Sequence, residues 1–125
     1  MLTLFILNSG DPNAAPEKTV TSFAHMKPKV KMASDIKMIN AIEKKTKWYT
    51  VMYDNERLDR NLMEALPIHL KFQTHDVIVL FKRNDKDEMT TAPRIFRSEI
   101  KLRDNCLLPD GGGLKFDRAL DGWIE

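Results

Sequence analysis

The chain has 125 residues, 42% apolar and 30% charged, with a formal charge of +2. That composition describes an ordinary globular protein of one domain, and so balanced a charge gives no general attraction to nucleic acid or to a membrane surface. No apolar run approaches the roughly 18–20 residues that span a bilayer, and the lone Cys106 excludes an internal disulfide or a cysteine metal cluster.

Leu2-Thr3-Leu4-Phe5-Ile6-Leu7 reads as a first strand. It has no basic flank and is too short for a signal peptide, so a cytoplasmic protein is expected, or one incorporated into a larger assembly. Asn8 to Asn13 is a loop by its turn chemistry. Pro16 suits the first turn of a helix, with Val20 and Phe23 facing the sheet. Lys29 to Ala33 alternates and reads as a second strand. The lysines around it, from Lys27 to Lys47, are read as a solvated face rather than a phosphate-binding surface. Ser34 or Asp35 can cap the next helix, expected over 36–45 with Ile36, Ile39 and Ile42 on its apolar face.

Trp48 to Tyr53 is wholly aromatic, β-branched or apolar, which fits a strand buried on both faces in the middle of a sheet. Asp54-Asn55-Glu56 then breaks the run with acceptor-rich side chains. Asp59 is a candidate N-cap, Leu62, Met63 and Leu66 have helical spacing, and Pro67 is expected to end that helix. Asp76 to Arg83 is a further strand, Asn84 to Glu88 a charged turn, and 94–102 an outer strand with one wet face. Asp110-Gly111-Gly112-Gly113 reads as a flexible turn without a phosphate-loop pattern. Asp117 and Asp121 share a helical spacing. Trp123 and Ile124 are candidates for an exposed apolar patch or for packing back onto the sheet. His25, His69 and His75 are scattered, with no metal-ligand spacing. The expected fold is α/β, a mostly parallel sheet flanked by helices.

The stretch from Trp48 to Pro67 resembles the central segment of family 2 glycosyltransferases, which have the GT-A fold. In that family an apolar strand opening with Trp runs into Asp-x-Asp-Glu and a capped helix, and the aspartates hold a divalent metal and the sugar nucleotide's diphosphate. Here Tyr53 takes the place of the first aspartate, Asn55 that of the second, and Glu56 matches the trailing acid. Arg94-Ile95-Phe96-Arg97 is similar to the family's basic-apolar strand after the acidic segment. The resemblance implies nucleotide contacts from Asn8, Ser9, Asp11 and Asp35, and a manganese or magnesium ion with a nucleotide-sugar at Asp54 and Glu56. It also implies a UDP-sugar or a glycan as ligand. The chain departs from the family in going directly from the 36–45 helix to Trp48, without the usual additional strand and helix, and in lacking a His-Glu pair.

Two functions follow as expectations. One is a shortened, sugar-nucleotide-binding GT-A-like domain with weak or absent catalysis. The other is a non-catalytic structural or interaction protein, such as a viral particle or assembly component, that reuses the fold and binds protein partners. The first would use Asp54 and Glu56 for metal and diphosphate; because the expected aspartates and a clear base are missing, the two residues are instead expected to form a polar turn capping the following helix, with no metal tightly bound.

Overall fold

A computed structural model describes residues 2–125. Six strands form a mixed sheet in the order β2-β1-β3-β5-β4-β8. The strands are β1 (Leu2–Leu7), β2 (Lys29–Ala33), β3 (Trp48–Tyr53), β4 (Val77–Arg83), β5 (Met89–Arg97) and β8 (Phe116–Arg118). Between β5 and β8, β6 (Lys101–Leu102) and β7 (Pro109–Asp110) pair with each other as a separate ribbon. The helices are α1 (Pro16–Thr21), α2 (Ile36–Ala41) and α3 (Arg60–Lys71). None is long and apolar enough to cross a membrane.

β1 is buried along its whole length and pairs in parallel with β2 on one side and β3 on the other. Its two faces feed two cores, as the two-residue period of a strand requires. Leu2, Leu4 and Ile6 meet Phe23 and the α3 stripe Leu62, Leu66 and Leu70. Phe5 and Leu7 meet Ile36 and Ile39 of α2, together with Tyr49 and Phe96. The Tyr49 hydroxyl donates to Ile100 O at 2.6 Å, and burial pushes its pKa up. The expected strands over 2–7, 29–33 and 48–53 are present with those bounds.

Other expectations are corrected. The sheet is mostly parallel, as expected, but mixed through one strand: β5 runs antiparallel to both β3 and β4, and the charged turn at 84–88 closes a β4–β5 hairpin. β5 is therefore central rather than outer, and Arg94, Ile95 and Phe96 are buried. Its register against β4 slips between Ile78 and Val79, where Ile95 and Pro93 are the successive partners. Arg94 is the extra residue of this bulge, and a bulge is where a central strand tolerates a proline.

Pro67 does not end α3, which continues to Lys71. Leu70 extends the buried stripe beyond the proline, and Asp59 caps the start by accepting from Leu62 N at 3.0 Å. α2 stops at Ala41, short of the expected 45. Residues 116–118 are a strand rather than a helix, paired in parallel with β4, so Asp117 and Asp121 share no helical face. Ile124 is fully buried and bridges to Leu58 and Lys82, which settles the choice at the tail in favour of packing onto the sheet.

Candidate binding cleft at the ends of β1 and β3

From β1 the chain moves outward to β2 and then returns past β1 to β3. The order reverses between β1 and β3, and a crevice outside the carboxyl ends of the strands at such a reversal is where open α/β sheets bind ligands. A cleft of about 300 Å³ opens there. Its walls include Asp11 and Asn13 from the loop after β1, Lys18 of α1, and Asp54, Asn55 and Arg57 after β3.

The two strand ends are stitched together at Asp54. Its backbone N donates to Leu7 O at 2.9 Å, while Ser9 N and Ser9 Oγ donate to Asp54 Oδ1 at 3.0 and 2.5 Å. Ser9 Oγ in turn accepts from Asp11 N at 3.1 Å, and Asp11 Oδ1 accepts from Asn13 N at 2.8 Å. Asn8 Oδ1 accepts from Gly10 N at 2.8 Å, closing a turn in which Gly10 has φ 79°. That left-handed conformation favours glycine.

Glu56 lies beneath this rim, 3% exposed, and its carboxylate faces inward. Arg94 grips it with two parallel bonds, Nη1 to Oε1 at 2.7 Å and Nη2 to Oε2 at 2.9 Å. Lys82 Nζ pairs with Oε2, and Tyr53 N donates to Oε1 at 2.8 Å. Burial alone would raise the Glu56 carboxyl, but its bonds to Arg94 together with that charge, Lys82 and the Tyr53 N–H outweigh burial and hold it below the usual carboxylate range. The bulge explains how Arg94 arrives there. β3 pairs with β5 only from Trp48 to Thr50, and past that point Arg94 fills the gap, with Nη1 also donating to Val51 O at 3.1 Å.

Of the residues expected at a nucleotide, Asp11 lines the cleft and Ser9 supports it through Asp54. Asn8 braces the turn behind Ser9. Asp35 follows the edge strand β2 and caps α2, accepting from Met38 N at 2.8 Å. The two residues expected at a metal both border the cleft, but both oxygens of Glu56 are taken by cations and an N–H. Neither caps α3, since Asp59 does so. A magnesium-class ion needs an octahedron of oxygen ligands. Asp54 and Asn55 supply few of them, and Glu56 does not fit the role without giving up two cations.

Sequence reasoning missed Arg94, Lys82, Arg57 and Glu125. Arg57 Nε bonds Glu125 Oε2 at 3.0 Å, and their backbones exchange two further bonds, so the tail forms one wall of the cleft. Two signals were available, an acid directly after a buried strand, Glu56, and a cation in an apolar strand, Arg94. Comparison with protein-family models, curated proteins and solved structures found no match for the chain.

Proposed function

We propose that this chain is a small GT-A-like module that binds the polar part of a nucleotide-sugar in the cleft between β1 and β3 and has little or no transferase activity. The observation that carries the reading is the coincidence of the strand-order reversal with a polar cleft formed by the loops after β1 and β3. The rim offers carboxylates at Asp11 and Asp54 for hydroxyl and base N–H groups, and cations at Lys18 and Arg57 for a phosphate.

Weak catalysis follows from the fate of Glu56. Metal-dependent transfer needs charge where the diphosphate leaves, and loss of one such contact costs roughly 2.7–4 kcal/mol. With Glu56 buried on Arg94 and Lys82, and Tyr53 and Asn55 in place of aspartates, the cleft lacks that set of contacts. The direct test is turnover of UDP-sugars with manganese, alongside Asp54→Ala. No hydrolysis or transfer above background is expected, while UDP binding weakens in the variant. Turnover that Asp54→Ala abolishes would overturn the claim of weak catalysis.

A second reading, the non-catalytic interaction module, has its own support. Ile68 and Leu120 are 69% and 73% exposed on either side of one groove beside α3. Exposed apolar patches of this kind mark interaction sites when they are contiguous. Both readings hold if the cleft binds a ligand and the groove a partner.

A further inference from the structure

At the opposite end of β3 from the cleft, a second cavity of about 390 Å³ opens. Three elements enclose it. Trp48 starts β3, Pro67, Leu70 and Lys71 belong to the second half of α3, and His25 and Met26 come from a short 3-10 turn, Ala24–Met26. That turn is held in place, because Met26 N donates to Phe23 O at 2.9 Å and the Phe23 side chain is fully buried. Trp48 and Leu70 are buried and make an apolar floor, and Met26 packs against the same core. Small-molecule pockets are mostly apolar, of roughly 300–1,000 Å³, with a few polar groups that fix orientation. This cavity has that size and that lining without any rearrangement of the chain.

Its ionisable groups are all basic. Lys47, Lys71 and His25 border it, and no carboxylate of the described residues does. Lys71 alone, in the last turn of α3, would be an ordinary complement to the helix dipole. Lys47 and His25 come from other elements, so the dipole does not explain them. Among the described residues none of the three has an acid partner, whereas Arg57, Arg60, Lys82, Arg83 and Arg94 each have one. Arg97 adds positive charge behind the floor, its guanidinium 3.8 Å from the centre of the Trp48 ring. Its own bonds go to neutral carbonyls, His75 O at 3.0 Å and Gln73 O at 2.6 Å. We propose that the cavity binds a small amphiphilic monocarboxylate. Its apolar body lies against Trp48, Leu70, Pro67 and Met26, and its carboxylate accepts from Lys47 and Lys71. A bare anion would meet only exposed lysines, which hold a free ion weakly, and an apolar cation would be repelled. The site is independent of the cleft and stands or falls separately from the reading of nucleotide binding.

Titration of the full chain with decanoate and with 3-phenylpropionate, followed by the indole N–H resonances of its two tryptophans, tests the proposal. The Trp48 resonance is expected to shift with at least one of these acids, and the Trp123 resonance to stay in place. The tighter of the two acids shows whether a chain or a ring fits better. Decanol and decylamine should bind at least about tenfold more weakly than decanoate, and acetate should cause no shift. Lys47→Glu and Lys71→Glu should each weaken binding about tenfold, the scale of one charge-assisted hydrogen bond. Both lysines are exposed, so the fold survives these changes. No Trp48 shift with either acid at millimolar concentration, decanol bound as tightly as decanoate, or an affinity unchanged in the Lys47→Glu, Lys71→Glu double variant would overturn the site.

Discussion

Glu56 decides more about this molecule than any other side chain. Its removal would strand Arg94, which is 5% exposed, as an uncompensated buried charge. Breaking a buried pair in this way costs about 3–5 kcal/mol, a large part of a small domain's stability. Glu56→Ala should therefore lower the urea midpoint sharply, and Glu56→Gln, which keeps an acceptor, should lower it less. The same carboxylate makes stability depend on pH. Its folded pKa is depressed by Arg94 and Lys82 against the opposing effect of burial, so its contribution is complete above the unfolded carboxylate pKa. It is lost as pH falls through the lower, folded value. Urea midpoints measured from neutrality into acid should fall for the native chain and fall less for Glu56→Gln.

Gly122 is a second decisive residue. It has φ 86°, and a Cβ there would overlap Asp59 Oδ1 and Leu62 N. Both atoms belong to the cap of α3, which also accepts from Trp123 N at 3.0 Å. Gly122→Ala combines a left-handed backbone with a clash, and strain of this kind costs roughly 1–3 kcal/mol. A lower melting temperature is expected, with the tail of 123–125 losing amide-exchange protection first.

At the scale of elements, α3 carries a proline in its interior. Proline removes one helical hydrogen bond and crowds the preceding turn, at about 3 kcal/mol in an exposed helix. The helix persists because Leu62, Leu66 and Leu70 bury one stripe across the proline against the sheet. Pro67→Ala should raise the melting temperature, by an amount that part of the unfolded chain's regained freedom offsets. A melting temperature below that of the native chain would mean that packing of the ring matters more than the missing N–H.

The same elements show what the sequence could reveal. β1 and β3 are legible because continuous apolar runs of six residues admit little other than buried strands. The caps at Asp35 and Asp59 are legible because capping is local chemistry, complete within four residues. The central place of β5 is not legible, because hairpin pairing puts it between β3 and β4 and nothing within the strand itself encodes its neighbours. The stretch around Arg94 reads as an outer strand with one wet face, but Arg94 is buried by a bulge and by a partner 38 residues away. The turn of α3 beyond Pro67 is hidden for a related reason: local propensity argues for a stop there, and tertiary burial of Leu70 overrides it. In the cleft, Asp11 and Asp54 are legible as polar residues at strand ends, whereas Glu125 reaches it through tail packing.

For the whole molecule, the loops after two of three adjacent parallel strands line the cleft, and an antiparallel hairpin props those strands from the side. Glu56 joins the two parts: it leaves β3, and it is held by Arg94 of β5 and Lys82 of β4. The residue that the family resemblance assigns to a metal therefore holds the sheet together here. That role for Glu56 underlies the central proposal, ligand binding at the rim with little or no metal-dependent transfer. Amide NMR titration with UDP, with and without magnesium, tests it most directly. The account predicts shifts confined to residues 8–18, 53–57 and the tail at Glu125, and an affinity that magnesium leaves unchanged. No shift at saturating UDP, shifts centred elsewhere on the sheet, or affinity that requires magnesium would contradict it.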